Sequence, residues 1–284
     1  MSSRSRPTIR ELRSRAMTFV LVGAGPTGVE LAASLALMAR ITLRCNFRRI
    51  NPCESRILLL EGSKRVLASF DESLSDKVKR QLQKLGVEVR TGVMVEKVDE
   101  HGVMVGGERI ASGTVLWTAG IQASTIVKQL GVTTDRVGRA GVGPLLNLEN
   151  HPEVFVIGDA AAATQDGHPL PGVAQVAIQE GRFVGRVIDA QIGGRPPVKS
   201  FRYHDRGNMA VVGKNFAVLQ RGRVRLSGIL TWLVWALIHV MFLPQVQNRL
   251  RVQTQWLWSY VTGQRSSRLI PEPKLEQGLA SGRG

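Results

Sequence analysis

Three glycines with GxGxxG spacing, Gly23, Gly25 and Gly28, separate a short apolar run from an alanine- and leucine-rich segment. Residues 19–22 have the pattern of a buried strand and residues 29–35 that of an apolar helix. At such a junction the first glycine permits the tight turn, the second leaves room for a pyrophosphate, and the third lets helix and strand pack closely. The pattern predicts a dinucleotide site at a helix N-terminus. The alternative is an α/β turn that binds no nucleotide.

An acidic residue ends the next apolar run and bears on which dinucleotide fits. Residues 56–60 are predicted to be a strand, and Glu61 follows directly. A carboxylate at this position accepts hydrogen bonds from an adenosine ribose and favours NAD(H) over NADP(H). The connection before this strand is longer than usual, and residues 44–53 supply the extra length. Lys64 and Arg65 lie just beyond and can tolerate a phosphate, so NADPH stays open.

Hydrophobic periodicity indicates the elements that must position these residues. It predicts strands at 87–91, 93–98, 102–105, 114–118, 154–157, 209–212 and 216–219. It predicts helices at 76–85 and 173–190. The strand at 114–118 leads into Ala119 and Gly120, where a backbone without bulk can approach a cofactor.

Four further polar residues have types and positions suited to chemistry. Asp159 follows a predicted strand and is bracketed by small residues, so it can accept hydrogen bonds from a polyol; a turn aspartate is the alternative. Gln175 and Gln179 are four residues apart, so their amides can meet one ligand edge; two solvated glutamines are the alternative. Glu30 lies in the first turns of the predicted helix, where a carboxylate that complements the helix dipole is the ordinary interpretation.

Composition limits the classes of partner. The 38 basic and 22 acidic residues give a net charge of +16, which calls for an anionic partner, either nucleic acid or a membrane surface. No zinc spacing or RNA-binding signature is present, so we expect no nucleic acid and no metal. The two cysteines, Cys45 and Cys53, are predicted to be free thiols. The basic, Arg- and Ser-rich start lacks an apolar stretch, so it is not a secretory signal, and a transit peptide is a weak alternative.

Four segments together resemble the type II NADH dehydrogenases, the NADH:quinone oxidoreductases that pump no protons. They are GAGPTGVELA at 23–32, WTAG at 117–120, FVIGDAA at 155–161 and AQVAIQ at 174–179. The resemblance runs from about residue 15 to residue 270. It implies an α/β fold with a Rossmann-like NAD-binding domain, the C-terminal part of an FAD-binding domain and a C-terminal membrane-associated helical segment. The expected boundaries are 1–16 (disordered basic leader), 17–120 (NAD-binding), 121–200 (FAD-binding), 201–270 (membrane-associating) and 271–284 (disordered tail).

The resemblance also implies roles for residues. Asp159 would hold the FAD ribityl chain, with Gly158, Ala174 and Gln175 in the same cofactor site. Gln175 and Gln179 would lie near the flavin ring and the quinone. Glu30 would lie beside the nicotinamide–flavin stack as a catalytic residue that aids charge transfer or proton supply. NADH would pass a hydride to FAD, and a membrane quinone would then take two electrons.

An apolar run near the C-terminus predicts the mode of membrane attachment. Residues 226–243 would form a helix of about 27 Å, just short of the hydrocarbon core of about 30 Å. Ser227, Thr231 and His239 fall on one face of that helix, which favours an interfacial position over a crossing. Basic residues flank the run on both sides, and Trp256, Trp258 and Tyr260 suit headgroup depth. A buried core helix and a single span are the alternatives.

One departure from the family pattern bears on activity. The sequence holds a single GxGxxG, the one expected for NADH, so the FAD-ADP site expected before Thr18 is missing. The expected partners are NADH, a membrane quinone and an anionic membrane surface on the cytoplasmic face, with a homodimer as an option. Two other interpretations stay open. One is a catalytically inert NADH-binding fragment, and the other is a different flavoprotein reductase of the same fold.

Overall fold

The computed structural model describes residues 8–44, 46–196, 198–242 and 245–262. The first half of the chain contains, in order, α1 (Ile9–Ala16), β1 (Thr18–Val22), α2 (Pro26–Leu37), β2 (Arg56–Glu61), α3 (Glu72–Lys84), β3 (Val87–Thr91), β4 (Val95–Asp99), β5 (Gly102–Val105), β6 (Glu108–Ala111) and β7 (Thr114–Trp117). A turn of π-helix at Met38–Thr42 and a short 3-10 helix at Pro52–Glu54 lie in the long connection between α2 and β2.

Four of these strands form a parallel sheet in the order β3-β2-β1-β7. Val22 pairs with Leu60 on one side and with Trp117 on the other, so three strands end at the same edge. The central strands are apolar on both faces because both faces are covered. The α/β class and the predicted strands of this region are confirmed.

Each face of the parallel sheet has its own cover. Helices α2 and α3 pack on one face through a core that includes Leu21, Leu59, Val29 and Val78. The antiparallel strands β4, β5 and β6 form a meander whose Val103 and Ile110 pack against the opposite face. The sheet therefore has an apolar interface on each face. These two interfaces hold in place the strand ends that form the candidate site.

Two helix starts differ from the sequence-based expectations. Helix α3 begins at Glu72, four residues before the predicted start, because the Asp71 side chain caps it by accepting a hydrogen bond from Ser73 N at 3.0 Å. The expectation that residues 1–16 are disordered is wrong for residues 9–16, which form α1. A capping box between Thr8 and Glu11 stabilises that helix start.

The middle of the chain contains small sheets and one long helix. Its elements are α4 (Ile126–Gln129), β8 (Ala140–Gly141), β9 (Asn147–Leu148), β10 (His151–Phe155), β11 (Ala161–Ala162), β12 (Thr164–Gln165), β13 (His168–Pro169) and α5 (Ala174–Ile192). Strand β10 overlaps the predicted strand but ends two residues earlier, and α5 extends two residues beyond its predicted end. Helix α5 packs through Phe183, Val184 and Val187 against the small sheets.

The last strands and helices are β14 (Asn208–Val211), β15 (Ala217–Arg221), β16 (Val224–Gly228), α6 (Ile229–Phe242) and α7 (Val246–Thr262). Strands β14 to β16 form an antiparallel sheet. Ala210, Val212 and Val218 of this region are buried in the same core as α2 and α3. Helix α2 is thus covered on both sides, by the parallel sheet and by the C-terminal sheet. The predicted domain boundaries stay predictions.

The prediction of one helix over residues 226–243 is wrong at its start. Leu226 and Ser227 belong to β16, where they pair with Leu219 and Val218. Gly228 has φ 103° and ends the strand, so helix α6 begins at Ile229. The proposed polar face is therefore broken, because Ser227 is in a strand. Leu243 and the tail at 271–284 lie outside the described residues.

Helices α6 and α7 contact each other through aromatic rings. Trp235 stacks on Trp256 with ring centroids 5.6 Å apart, and Trp235 also contacts His239 at 4.4 Å. Helix α6 has 14 residues, which is about 21 Å. In the part of the chain that the structure describes, no helix combines the length and the apolar character needed to cross a bilayer.

Candidate functional site

The predicted glycines line a cavity at the C-terminal edge of the parallel sheet. Gly23 and Gly25 come from the turn after β1, Glu61 from the end of β2, and Ala119 and Gly120 from the segment after β7. The cavity encloses about 330 Å³, and we call it the glycine cleft. The parallel topology brings these residues together because the ends of β1, β2 and β7 lie side by side.

The three glycines of the motif meet different constraints. Gly23 has φ 101°, and a Cβ there would lie 2.8 Å from the backbone of Ala119. A Cβ on Gly28 would overlap the carbonyl oxygen of Gly23, so this residue sets how closely α2 packs on the turn. A Cβ on Gly25 would meet nothing within 4 Å. Two glycines therefore serve packing, whereas the third keeps space open at the N-terminus of α2.

Glu61 is held in place by backbone groups. Its Oε2 accepts a hydrogen bond from Ala24 N at 2.5 Å, and its Oε1 accepts one from Ser63 N at 2.8 Å. A carboxylate has about four lone-pair sites, so each oxygen keeps capacity for a ligand hydroxyl. Thr118, which sequence reasoning missed, has its Oγ1 2.9 Å from Val22 O and 2.8 Å from Gly23 O. It ties the end of β7 to the glycine turn.

Asp159 lines a second cavity, of about 230 Å³, which we call the carboxylate cavity. Gly158, with φ 65°, precedes it in a short 3-10 helix. A Cβ on Gly172 would lie 3.3 Å from Asp159 Oδ1 and 2.8 Å from the Ile121 side chain, so a larger residue there would crowd both side chains. Ile121 follows Gly120 directly in sequence. Consecutive residues therefore line the two cavities.

Glu180 is the residue that sequence reasoning missed in this cavity. Its side chain is 1% exposed, and its Oε2 accepts a hydrogen bond from Gly158 N at 2.5 Å. Burial raises the pKa of Glu180; the Gly158 hydrogen bond opposes this, and the charge of Asp159 adds to it. A signal was available: Glu180 occupies a position in the apolar stripe of α5 otherwise formed by Val176, Phe183 and Val187.

The two glutamines of α5 lie elsewhere. Gln175 bonds to backbone of the segment at 204–207, with Nε2 3.0 Å from Gly207 O and Oε1 3.3 Å from Arg206 N. Gln179 makes two bonds of 3.0 Å, to the carbonyl and amide of His204. Neither glutamine lines the glycine cleft or the carboxylate cavity, and Ala174 starts α5 just before them. Their amides are thus engaged by the protein itself, and the predicted quinone contact stays a prediction.

Glu30 is a residue of α2, and its side chain contacts the C-terminal sheet. Its Oε1 accepts a hydrogen bond from Val211 N at 3.1 Å. Burial raises the pKa of Glu30, while the Val211 bond and the charge of His239 oppose the rise. Glu30 is not among the residues that line either cavity. Its predicted catalytic role stays a prediction, and what the structure adds is a hydrogen bond between the motif helix and β14 of the C-terminal sheet.

The donors and spaces fit a dinucleotide in the glycine cleft. The open position at Gly25 and the first amides of α2 suit a pyrophosphate, and the Glu61 carboxylate suits ribose hydroxyls. In the carboxylate cavity, Asp159 and the backbone around Gly158 suit a polyol chain such as the ribityl group of FAD. All of these groups belong to the part of the chain that the structure describes.

Comparisons with known proteins agree with this geometry. Residues 3–181 match the family described as pyridine nucleotide-disulphide oxidoreductase. The chain is 37% identical over 273 residues to the type II NADH:quinone oxidoreductase Ndh of Mycobacterium tuberculosis, covering 92% of this chain and 58% of that protein. It is 38% identical over 262 residues to NdhA of the same organism, covering 88% and 55%. The chain thus spans just over half the length of these curated relatives.

A solved structure shares the fold. The structure of NDH2 from Plasmodium falciparum in complex with NADH aligns with a TM-score of 0.81 at 17% identity. The alignment covers 92% of this chain and 69% of that one. At this identity the likeness shows the fold alone.

Proposed function

The chain belongs to the pyridine nucleotide-disulphide oxidoreductase family, and from that premise we propose that it acts in a type II NADH dehydrogenase. In this reaction NADH gives a hydride to FAD, and a membrane quinone then takes two electrons without proton pumping. The relatives that support the proposal are named NADH:quinone oxidoreductases.

One observation carries the proposal: the glycine cleft and the carboxylate cavity are lined by consecutive residues, with Ala119 and Gly120 in the first and Ile121 in the second. An NADH in the cleft and a flavin held at Asp159 would then meet across a segment of small residues. Glu61 would bind the adenosine ribose, and the N-terminus of α2 would stabilise the pyrophosphate charge. The protein's contribution is to orient the two partners, because the flavin supplies the redox chemistry.

We extend the proposal to three polar residues predicted near the quinone and near the nicotinamide. Gln175 and Gln179 would lie on the side where the quinone approaches, and Glu30 would serve the nicotinamide–flavin stack through charge or proton supply. Support comes from the AQVAIQ segment and from the half-buried position of Glu30 with its raised pKa. Because both glutamine amides bond to residues 204–207, the quinone would meet the glutamines only after these bonds adjust.

The apolar surface of α6 and α7 supports monotopic attachment to a membrane. Exposed apolar side chains cover it: Ile229, Leu230, Leu233, Leu237, Met241, Val246, Leu250, Leu257 and Trp258. Arg223 lies in the turn between β15 and β16, Arg225 lies on β16 and Arg251 lies on α7, and all three would meet anionic headgroups. We place this surface on the cytoplasmic face of the membrane. A homodimer is a further prediction. The side chain of Tyr260, predicted at headgroup depth, lies outside the described part.

The absorbance spectrum of the purified chain tests the proposal. We expect a flavin band between about 350 and 500 nm that bleaches when NADH is added anaerobically, since bound flavin carries the chemistry. Quinone added next should restore the band. A chain that binds NADH but no flavin, even after addition of FAD, would contradict the proposal. It would favour the second candidate, a catalytically inert NADH-binding module.

The second candidate has its own support in the sequence. GxGxxG occurs once, and the chain covers 58% of the M. tuberculosis relative. The glycine cleft is built from residues 22–25, 60–62, 93–95 and 117–120, so it is complete without a contribution from the carboxylate cavity. NADH binding and flavin binding are therefore separable measurements on this chain.

A further inference from the structure

A groove between α5 and the segment at 198–206 carries only positive charge among its ionisable side chains, apart from a histidine. We propose that this groove binds a compact anion that bears phosphate groups, at a site distinct from the glycine cleft and the carboxylate cavity. The inference does not depend on the proposed function, although Gln179 of the proposed quinone side also lines this groove. We call it the basic groove.

The basic groove, with about 450 Å³, is larger than the glycine cleft and the carboxylate cavity. Arg182 and Arg186 line one wall, one helical turn apart on α5. Lys199, Arg202 and Arg206 line the opposite wall. No aspartate or glutamate is among the lining residues. A volume in this range is typical of small-ligand sites rather than of protein interfaces.

The charges of the groove are poorly compensated. Within residues 8–44, 46–196, 198–242 and 245–262, the side chains of Arg182, Arg186 and Lys199 make no hydrogen bond or ion pair. Arg202 approaches Asp166 at 3.6 Å, and both of these side chains are about 70% exposed. Because a surface ion pair of this kind contributes little, the guanidinium of Arg202 remains available to a ligand. The groove therefore presents exposed cations whose charge a bound anion would neutralise.

The walls of the groove are fixed by packing rather than by its charges. Phe201 packs edge-to-face on Phe183 with ring centroids 5.4 Å apart, and Phe201 N donates to Pro144 O at 2.8 Å. Farther along, Gln179 holds His204 through two 3.0 Å bonds. The backbone that carries these cations is therefore held in place before a ligand arrives, which reduces the conformational entropy lost on binding.

Guanidinium groups favour phosphate because they form paired, charge-assisted hydrogen bonds with its oxygens. Two arginines on one helix face, opposed by further cations, suit a ligand with two or more negative charges. The phosphates can belong to a soluble molecule or to a lipid headgroup. A nucleic acid is disfavoured because the lining offers no exposed aromatic platform for bases.

Calorimetric titration of the full chain with inorganic pyrophosphate tests the soluble source, with NADH present in excess so that the glycine cleft, which also suits a pyrophosphate, is occupied. We expect the double variant Arg182→Gln, Arg186→Gln to bind about tenfold more weakly or worse, since it removes two charge-assisted contacts. The matched control is Arg80→Gln, Lys84→Gln on α3, which removes two exposed charges with the same spacing and should bind like the wild type. Lys199→Gln, on the other wall, serves as a second variant if the helix variant folds poorly.

Sedimentation with vesicles of phosphatidylcholine and phosphatidylglycerol tests the lipid source. If lipid headgroups occupy the groove, the α5 double variant loses vesicle binding about tenfold relative to the α3 control, and pyrophosphate competes. If the ligand is soluble, only the pyrophosphate titration changes. Wild-type affinity of both groove variants in both assays would overturn the proposal, as would a wild-type protein that binds neither probe.

Discussion

The glycine cleft and the carboxylate cavity are built in opposite ways. At the glycine turn the wall of the cleft is backbone, and its shape there depends on the missing side chains at Gly23 and Gly25, while Gly28 sets how closely α2 packs on the turn. The cavity depends on two acidic side chains, Asp159 and Glu180, that come from positions 21 residues apart and repel each other. The difference teaches that the glycine turn of the cleft is encoded in a continuous stretch of sequence, although its other walls come from three further segments, whereas the cavity exists only after α5 has packed.

The largest effect we expect tests the packing role of one glycine in the cleft. Gly28→Ala should lower the free energy of unfolding by about 3 kcal/mol, because the new Cβ overlaps the Gly23 carbonyl and α2 cannot move without losing core contacts. Urea denaturation measures this. Gly25→Ala is the matched control: it should change stability by less than about 1 kcal/mol.

The same control separates folding from binding. In Gly25→Ala the Cβ enters the open space of the cleft, so NADH affinity should fall about tenfold in a fluorescence titration although the protein is folded. A Gly28→Ala variant as stable as the wild type, or a Gly25→Ala variant that binds NADH normally, would break the distinction between packing and ligand-facing glycines.

The next effect concerns the cavity. Glu180→Leu should lower the free energy of unfolding by about 2 kcal/mol, because the part-buried Gly158 N loses its acceptor. Glu180→Gln keeps an acceptor oxygen and should be close to the wild type. Thermal or urea unfolding of both variants makes the comparison. Equal stability of the two variants would mean that the Gly158 bond contributes nothing.

The pH dependence of Glu180→Gln sharpens this test. The pKa of Glu180 is higher in the folded protein than in the unfolded chain, so the folded protein keeps this proton at pH values where the unfolded chain has lost it. The free energy of unfolding therefore decreases as pH rises through this range. This contribution is present below the unfolded pKa of about 4.3 and is lost as pH rises through the folded pKa. The stability of the amide variant relative to the wild type should therefore increase from about pH 4 to pH 7. An unchanged or decreasing difference would contradict the burial of a charged group here.

The smallest effect concerns ligand choice at the cleft. Glu61→Gln should narrow the preference for NADH over NADPH by about tenfold, because the amide no longer repels a 2′-phosphate while Lys64 and Arg65 remain nearby. Parallel titrations with both nucleotides measure the ratio. The matched control is Glu88→Gln, a carboxylate on β3 that pairs with Arg56 and Arg90 and does not line the cleft. If the ratio of NADH to NADPH affinity changes equally in both variants, Glu61 does not determine the choice of nucleotide.

Much of the first half of the molecule was predictable from sequence because its signals are local. The glycine turn, the buried strands and the position of Glu61 each follow from residue type and short-range periodicity, and the parallel sheet confirms the strands and places Glu61 at a strand end. The C-terminal prediction failed where periodicity was ambiguous. Leu226 and Ser227 extend an apolar run in sequence, yet pairing with β15 places them in a strand. An apolar run alone does not distinguish a strand from the first turn of a helix.

By itself, the sequence determined the dinucleotide-type turn, because the steric demands at Gly23 and Gly28 are set by neighbouring backbone and admit few alternatives. Tertiary structure alone decided which polar side chains remain available to a ligand. Gln175 and Gln179 share a helix face in sequence, but the segment at 204–207 binds their amides. Glu180 became part of a cavity because α5 packs against the loop at Gly158. Hydrogen-bond partners distant in sequence are fixed only by packing, so no local pattern specifies them.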